Sequence, residues 1–285
     1  MIEYIQERGK IMKKCDLHSH TIYSDGELTV EGNVNRAISL GLDGIAISDH
    51  DNIDSWKDID NKKFDIPVIK ALELSTFTNG ESVHVLGYYL NDNGDYSELY
   101  NFLKEMRKLR DKRVYKIIDL LKQFDINITY ESIIKFADGA VGRPHVAKAI
   151  MEAYPERNYT IDEIFDKFIG NGKPAYVPSS NLDTKDAIDI LHRNHCIAVL
   201  AHPLLIDSTK VDYKDLIKYP FDGIECFYPY KDKSYQEVLE FANKNNLLVT
   251  GGSDFHGPNV RDTMGQEYNR DLYLERFLKR INQNS

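Results

Sequence analysis

Seven short runs rich in apolar and β-branched residues recur along the chain: "KKCDLHSH", "LDGIAISDH", "IPVIKALEL", "SVHVLGYYL", "HCIAVLAHP", "FDGIECFY" and "NLLVTGGSDFH". Between most of them lie stretches with helical spacing, clearest over residues 30–40, 184–194 and 235–245. Strands that alternate with helices point to an α/β fold on a parallel sheet or barrel. The helix starts carry capping chemistry. Ser234 with Glu237 and Thr160 with Glu163 fit the capping box, and Asp183 stands at the N-cap position before "TKDAIDIL". The 285 residues suffice for one large domain or two ordinary ones, and α/β barrels commonly reach this size as one unit.

The rhythm breaks between the fourth and fifth runs. Residues 95–180 contain no good strand but several helical stretches, far more chain than an ordinary connection uses. They are predicted to form an inserted helical subdomain between two barrel segments, 1–94 and 181–285. The first of these helices places Leu103, Met106, Val114, Ile117, Leu121 and Phe124 at three-to-four spacing, and Arg110 falls inside that apolar stripe. The ordinary expectation is an arginine at the helix edge that snorkels to water; the alternative is an inward phosphate contact.

Composition narrows the function. Apolar residues make up 42% and charged residues 28%, a globular balance, and no window approaches the apolar run of a membrane helix. The start, "MIEYIQERGKIMKK", has neither an apolar h-region nor a small-residue cleavage site, so no export signal is read and a cytoplasmic location is expected. Cys15, Cys196 and Cys226 lie far apart in apolar runs, which favours reduced, buried thiols. A net charge of −9 disfavours a long nucleic-acid groove but leaves room for small phosphorylated substrates. Carboxylates that bind divalent cations would inflate that count.

The chemistry resides at the strand ends. In "CDLHSHTIYSDG", His18 and His20 are two residues apart, so an extended strand aims both rings at one point, with Asp25 in the loop beyond. The second run leads into Asp49 and His50, the third carries Glu73, the fourth holds His84, the fifth leads into His202, and the seventh into Asp254 and His256. Any one of these histidines alone is an ordinary polar residue. Together, six of the nine histidines fall where a parallel barrel builds its site. Imidazole and carboxylate without thiolate suit Mn²⁺, Fe²⁺ or Zn²⁺ in an open catalytic centre, whereas a structural zinc would use cysteines.

The segments "DLHSHTIYSDG", "ISDHD", "LELS", "VHVLGY", "LAHP" and "GGSDFHG" resemble the ordered motifs of the polymerase and histidinol phosphatase (PHP) family over nearly the whole chain. Within it the sequence is most similar to the stand-alone group with a helical insertion, which contains 3′,5′-nucleoside bisphosphate phosphatases and 5′-to-3′ exonucleases on short RNA. The resemblance implies a distorted (β/α)7 barrel with three divalent ions. The first would take His18, His20, Glu73 and Asp254; the second Glu73, His84 and His202; the third Asp25, His50 and His256. Metals ~3.5–4 Å apart can hold a bridging water, lower its pKa and clamp the phosphoryl oxygens, so no protein nucleophile is required.

In the insertion, Pro144 marks a helix start whose free amides favour an anion beside Arg143, and "GNGKPAYVP" offers Lys173 and Tyr176 on a Gly- and Pro-rich loop. By resemblance, Arg143, Lys173 and Tyr176, with His145 as a further candidate, contact a substrate phosphate. Asp49, Ser253 and Glu225 are candidates for orienting ligating imidazoles. His192 and His195 read as structural or exposed. The expected activity is metal-dependent hydrolysis of small nucleotide phosphoesters: bisphosphonucleotides or short 5′-phosphorylated RNA. The alternatives are a histidinol-phosphate phosphatase, a polymerase-associated module and a non-catalytic nucleotide-binding regulator.

Overall fold

A computed structural model describes residues 14–90, 95–137, 141–178, 182–230, 234–266 and 269–283. The N-terminal stretch read for an export signal lies outside these residues up to position 13. Each of the seven apolar runs forms a strand: β1 Lys14–Asp16, β2 Gly44–Ile47, β3 Val68–Thr78, β4 Glu81–Tyr89, β5 Cys196–Leu200, β6 Gly223–Phe227 and β7 Leu248–Gly251. A two-residue strand, β8 Asn269–Arg270, adds to β1, giving the sheet order β7-β6-β5-β4-β3-β2-β1-β8.

The strands are parallel except at β8 and at β4, which runs antiparallel to both β3 and β5. The cause is local. Asn79 and Gly80 both have positive φ, 48° and 84°, and form the two-residue turn that joins antiparallel strands with the right twist. The Asn-Gly pair was a hairpin signal in the sequence, and it corrects the expectation of parallel strands throughout. It also moves Glu73 from a strand end to the middle of the 11-residue β3.

Period-two alternation sorts these strands. Ile69 and Ala71 of β3, Leu86 and Tyr88 of β4, and Ile197 and Val199 of β5 share one apolar cluster with Cys15, Leu17 and Ala46. Leu72, Leu74, Val83 and Val85 face the other way, into a cluster shared with the helices α7 Thr184–Arg193 and α8 Gln236–Lys244. Glu73 and His84 have the inward parity, so they stand above the apolar floor. Phe277 of the C-terminal helix α9 Asp271–Gln283 packs edge-on to Tyr88 at 4.9 Å and seals that floor from below.

The hydrogen-bonded ladder is open, with β7 and β8 at its edges. Beyond it, Leu17 N–H donates to Gly251 O (3.1 Å), Asp254 N–H to His18 O (2.9 Å) and His20 N–H to Phe255 O (2.8 Å). The chain after β1 therefore runs beside the chain after β7, which brings the ends of the barrel together at one rim.

The helices follow their caps. α1 Val30–Ser39 starts at Thr29, which accepts from Gly32 N–H; α2 spans Trp56–Asn61; α7 starts at Asp183, which accepts from Lys185 N–H. The box expected for Ser234 and Glu237 does not form. Ser234 accepts from Gln236 N–H, while Glu237 turns to Lys214. Between β4 and β5 come α3 Ser97–Leu121, α4 Tyr130–Ile134, α5 Arg143–Ala153 and α6 Ile161–Ile164, followed by a π-helical turn, Phe165–Ile169. The Thr160–Glu163 capping box is present at the start of α6. Fifteen buried residues between Val114 and Ala175 form a core of their own. Arg110 does not snorkel: it is 5% exposed and bonds inward to Asp51 and Ser75.

Candidate metal centre

Four donor atoms converge at the barrel rim. His18 Nε2 and His20 Nε2 are 3.2 Å apart, and each lies 3.1–3.4 Å from Glu73 Oε2 and Asp254 Oδ1. Donor atoms this close together, all within 4.8 Å of one another, are spaced as ligands of one divalent ion would be. All four residues are buried.

Glu73 faces two ways. Its Oε2 meets His18, His20 and His50, while its Oε1 lies 2.8 Å from His84 Nδ1 and 3.0 Å from His202 Nε2. A compact second group is His50, Glu73 and His84, with His202 beside it on Glu73. A third consists of His20, Asp25, His50 and His256, with His256 Nε2 3.3 Å from Asp25 Oδ1. The nine expected residues therefore stand together, although His20 and His50 are each shared between two groups rather than serving one.

The donor set fits divalent cations. His20 Nδ1, Asp25 Oδ1, His50 Nδ1, Glu73 Oε2 and His202 Nδ1 are buried without a hydrogen-bond partner, an arrangement that is destabilising unless something binds there. Burial opposes ionisation of Glu73, yet the imidazoles of His50, His84 and His18 outweigh it and hold the carboxyl well below its ordinary value. Burial likewise opposes ionisation of Asp254, and Arg261, His18 and His256 overcome it. The cage is built to keep its carboxylates charged.

Backing groups fix the donors. Glu225, at a bulge between β6 and β7, meets His18 Nδ1 at 3.1 Å and accepts from His202 N–H at 2.8 Å. Among the described residues, Asp49 and Ser253 form no side-chain hydrogen bond or ion pair with an imidazole. Asp49 accepts from Thr21 and Ser24 and shapes the loop that carries Asp25, and Ser253 donates to Asp16, tying the end of β7 to β1. His202 and Asp254 hold positive φ, 26° and 51°, strained values for residues other than glycine and typical of functional sites. Tyr228 O–H and Arg261 both donate to Asp254 Oδ2, leaving Oδ1 for the cage.

Seven of the donor residues, Asp25, His50, Glu73, His84, His202, Asp254 and His256, line a cavity of about 670 Å³ together with Arg110, Arg113 and Arg143. Of the four expected substrate contacts, only Arg143 lines it. Tyr176 backs Arg143, its ring 5.5 Å from the guanidinium; Lys173 is exposed on its loop. His145 is buried and its Nδ1 accepts from Gly142 N–H, and burial pushes its pKa down to about 4. His192 and His195 border a separate cavity with Asp222 and Arg280. Sequence reading missed Asp51, Ser75, Arg113, Tyr228 and Arg261; the signal available for Arg113 was a second arginine one turn after Arg110 in the same apolar stripe.

Comparison with known proteins agrees with this geometry. Residues 16–240 match the PHP domain model. A 5′-3′ exoribonuclease of Haemophilus influenzae is 32% identical over 253 residues, covering 86% of this chain and 91% of that protein. A phosphoribosyl 1,2-cyclic phosphate 1,2-diphosphodiesterase of Eggerthella lenta is 26% identical, covering 85% and 94%. A 3′,5′-nucleoside bisphosphate phosphatase of Chromobacterium violaceum is 26% identical, covering 87% and 88%. Among solved structures, a Bifidobacterium adolescentis chain assigned as a metal-dependent phosphoesterase superposes with a TM-score of 0.81 at 26% identity, covering 93% of this chain and 96% of that one.

Proposed function

The chain belongs to the PHP domain family and is a metal-dependent phosphoesterase, and from that premise we propose that it hydrolyses small phosphorylated nucleotides: 3′,5′-bisphosphonucleotides or short 5′-phosphorylated RNA. One observation carries this reading: a single cavity is lined both by residues of the His/Asp/Glu cage and by Arg143. Such a cavity suits a substrate with a scissile phosphoester at one end and a second anion at the other. Histidinol phosphate offers a cationic amine where the wall is cationic.

In this reading three divalent ions, manganese, iron or zinc, are held by His18, His20, Asp25, His50, Glu73, His84, His202, Asp254 and His256, with Glu73 shared. Bound ions supply an acidified water and positive charge against the phosphoryl oxygens. The protein's own groups orient the rest. Glu225 holds His18, Tyr228 and Arg261 fix one oxygen of Asp254, and Arg143 anchors the substrate, with Tyr176 stacked behind it. Lys173, on its exposed loop, and His145, at the foot of α5, take supporting places at the edge of the site. Residues 1–94 and 181–285 supply the barrel, and 95–180, with its separate core, supplies the arginines that line the cavity. A cytoplasmic location fits three free, buried cysteines.

The test is a substrate panel on manganese-loaded protein: adenosine 3′,5′-bisphosphate, a short 5′-phosphorylated oligoribonucleotide, phosphoribosyl 1,2-cyclic phosphate and histidinol phosphate. The nucleotides are expected to exceed histidinol phosphate in kcat/KM by about 100-fold or more, because unmatched buried polar groups discriminate strongly. Preferential turnover of histidinol phosphate or the cyclic phosphate would overturn the nucleotide assignment.

A further inference from the structure

Helix α3 concentrates positive charge in an acidic molecule. Seven of the thirteen residues 104–116 are lysine or arginine and two are acidic, in a chain whose net charge is −9. The helix sorts these cations by side. Arg107, Arg110 and Arg113 turn toward the protein: Arg107 donates to Asp54 and Arg110 to Asp51, each at 2.6 Å, and Arg113 donates to the Val177 carbonyl at 2.7 Å. Lys104, Lys108, Lys112 and Lys116 follow one another at four-residue spacing, so they form a single ridge, and all four are exposed. Lys108 meets Glu105 at 2.7 Å, while the other three form no ion pair among the described residues. Asp111, the second acid of the stretch, accepts instead from Tyr130 O–H at 2.7 Å.

Beside the ridge stands an aromatic platform. Tyr115 of α3 is 51% exposed, and its ring stacks on that of Tyr130 in α4, with centroids 4.7 Å apart and planes at 17°. The Tyr130–Asp111 bond and the capping box of Thr129 and Ser132 at the start of α4 hold this pair in place. Leu109, 45% exposed, adds apolar surface to the outer side of α3. Like charges four residues apart oppose one another, and an outward ring leaves apolar area in water, so both features are unfavourable until a ligand covers them. Single-stranded nucleic acid supplies both counterparts, a row of phosphates for the lysines and flat base faces for the ring. A duplex would keep its bases stacked on each other and leave Tyr115 unused.

We propose that the outer face of α3, with its lysine ridge and the Tyr115–Tyr130 stack, binds the body of a single-stranded RNA whose 5′ end lies in the cavity of the cage. Arg110 and Arg113 line that cavity from the other side of the same helix, so the RNA has only to round an element about 10 Å thick. This rests on the nucleotide reading above and deepens it: a mononucleotide cannot reach both places, so the face serves an oligoribonucleotide substrate.

The test compares three variants with the unaltered protein, all manganese-loaded: the combined Lys108→Gln, Lys112→Gln and Lys116→Gln, then Tyr115→Ala, then Tyr115→Phe. Two substrates are offered, a 5′-phosphorylated octaribonucleotide, long enough to leave the cavity, and adenosine 3′,5′-bisphosphate, which is not. The triple variant should lower kcat/KM for the octanucleotide by about 10-fold or more and flatten its slope of log kcat/KM against log salt by about 2, the loss of three phosphate contacts on a single strand. The bisphosphate, itself multiply charged, reports any effect of net charge alone and should change by less than about twofold, because exposed charges beyond the cavity are screened. Tyr115→Ala should cost the octanucleotide about fivefold or more, the loss of one stacked base, whereas Tyr115→Phe keeps the ring and should match the unaltered protein. Equal changes on both substrates, or an octanucleotide indifferent to the triple variant, overturn the proposal in favour of an acidic protein partner or plain solvation of the ridge. If the unaltered protein turns over neither substrate, the nucleotide reading fails, and the Kd of a phosphorothioate octaribonucleotide, which resists hydrolysis, decides separately: it should rise about 10-fold or more in the triple variant, and an unchanged Kd rules out RNA binding on this face.

Discussion

At the scale of single residues, the cage is an electrostatic compromise that a cation resolves. Burial opposes protonation of His20, but Asp254 and Glu73 outweigh it and raise its pKa to about 9; His18 is raised well above its ordinary value in the same way, by Glu225, Glu73 and Asp254. In the metal-free protein the surrounding carboxylates thus favour protonated imidazole, and a ring that carries a proton on its donor nitrogen must lose it before it can ligate. Metal uptake should release protons, and the apparent affinity should rise with pH up to about 9 by roughly 10-fold per unit for each proton displaced. Manganese titrations in two buffers of different ionisation enthalpy measure the release directly; an affinity independent of pH across this range would contradict the protonated cage. That these ligand-type residues would gather at one rim was legible in the sequence, because such residues at strand ends are distinctive. Their neighbours were not. Arg113, Tyr228 and Arg261 have ordinary local surroundings, and only contacts far along the chain give them meaning, such as Tyr228 O–H to Asp254 Oδ2 at 2.8 Å.

At the scale of elements, short apolar, β-branched runs located each of the seven strands they were read as, whereas turn chemistry settled a direction that such runs cannot. Asn79-Gly80 reverses the chain so that the start of β4 returns beside the end of β3, and Ser75 pairs with His84. His84 reaches the rim because β4 is antiparallel; a parallel strand would place it lower. Close backbone approach is the other device. After β7, Gly252 lies against β1's extension so tightly that an added Cβ would meet the His18 side chain and come within 2.5 Å of His18 N. Gly252→Ala must therefore push His18 off the cage, at a cost of about 1–3 kcal/mol from overpacking. The expected outcome is a folded protein with reduced manganese stoichiometry and activity lowered by about 100-fold, a loss typical of ångström-scale misplacement. Full metal content with full activity in this variant would show that the contact does not position His18.

At the scale of the whole molecule, the cage does structural work that the sheet leaves undone. The ladder is open between β7 and β8, and the rim where the chain after β1 meets the chain after β7 rests on a few backbone hydrogen bonds. His18 and His20 come from one side of that seam and Asp254 and His256 from the other, so a cation bound among them cross-links the barrel ends. At a free concentration 1,000 times Kd, one bound ion adds about 4 kcal/mol, and a chain of this size shifts its Tm by roughly 2–4 °C per kcal/mol. Stripping the ions should thus lower Tm by about 10 °C or more, restored by manganese. The loss should also be uneven. Amides of Leu17, His20 and Asp254 that bridge the seam should exchange faster without metal. Amides in α4 and α5, which pack into a core drawn wholly from the stretch between β4 and β5, should be far less affected. Hydrogen exchange with and without chelator reads both at once, and uniform loss of protection across the two regions would mean that the cations stabilise the molecule as one unit rather than by closing its seam.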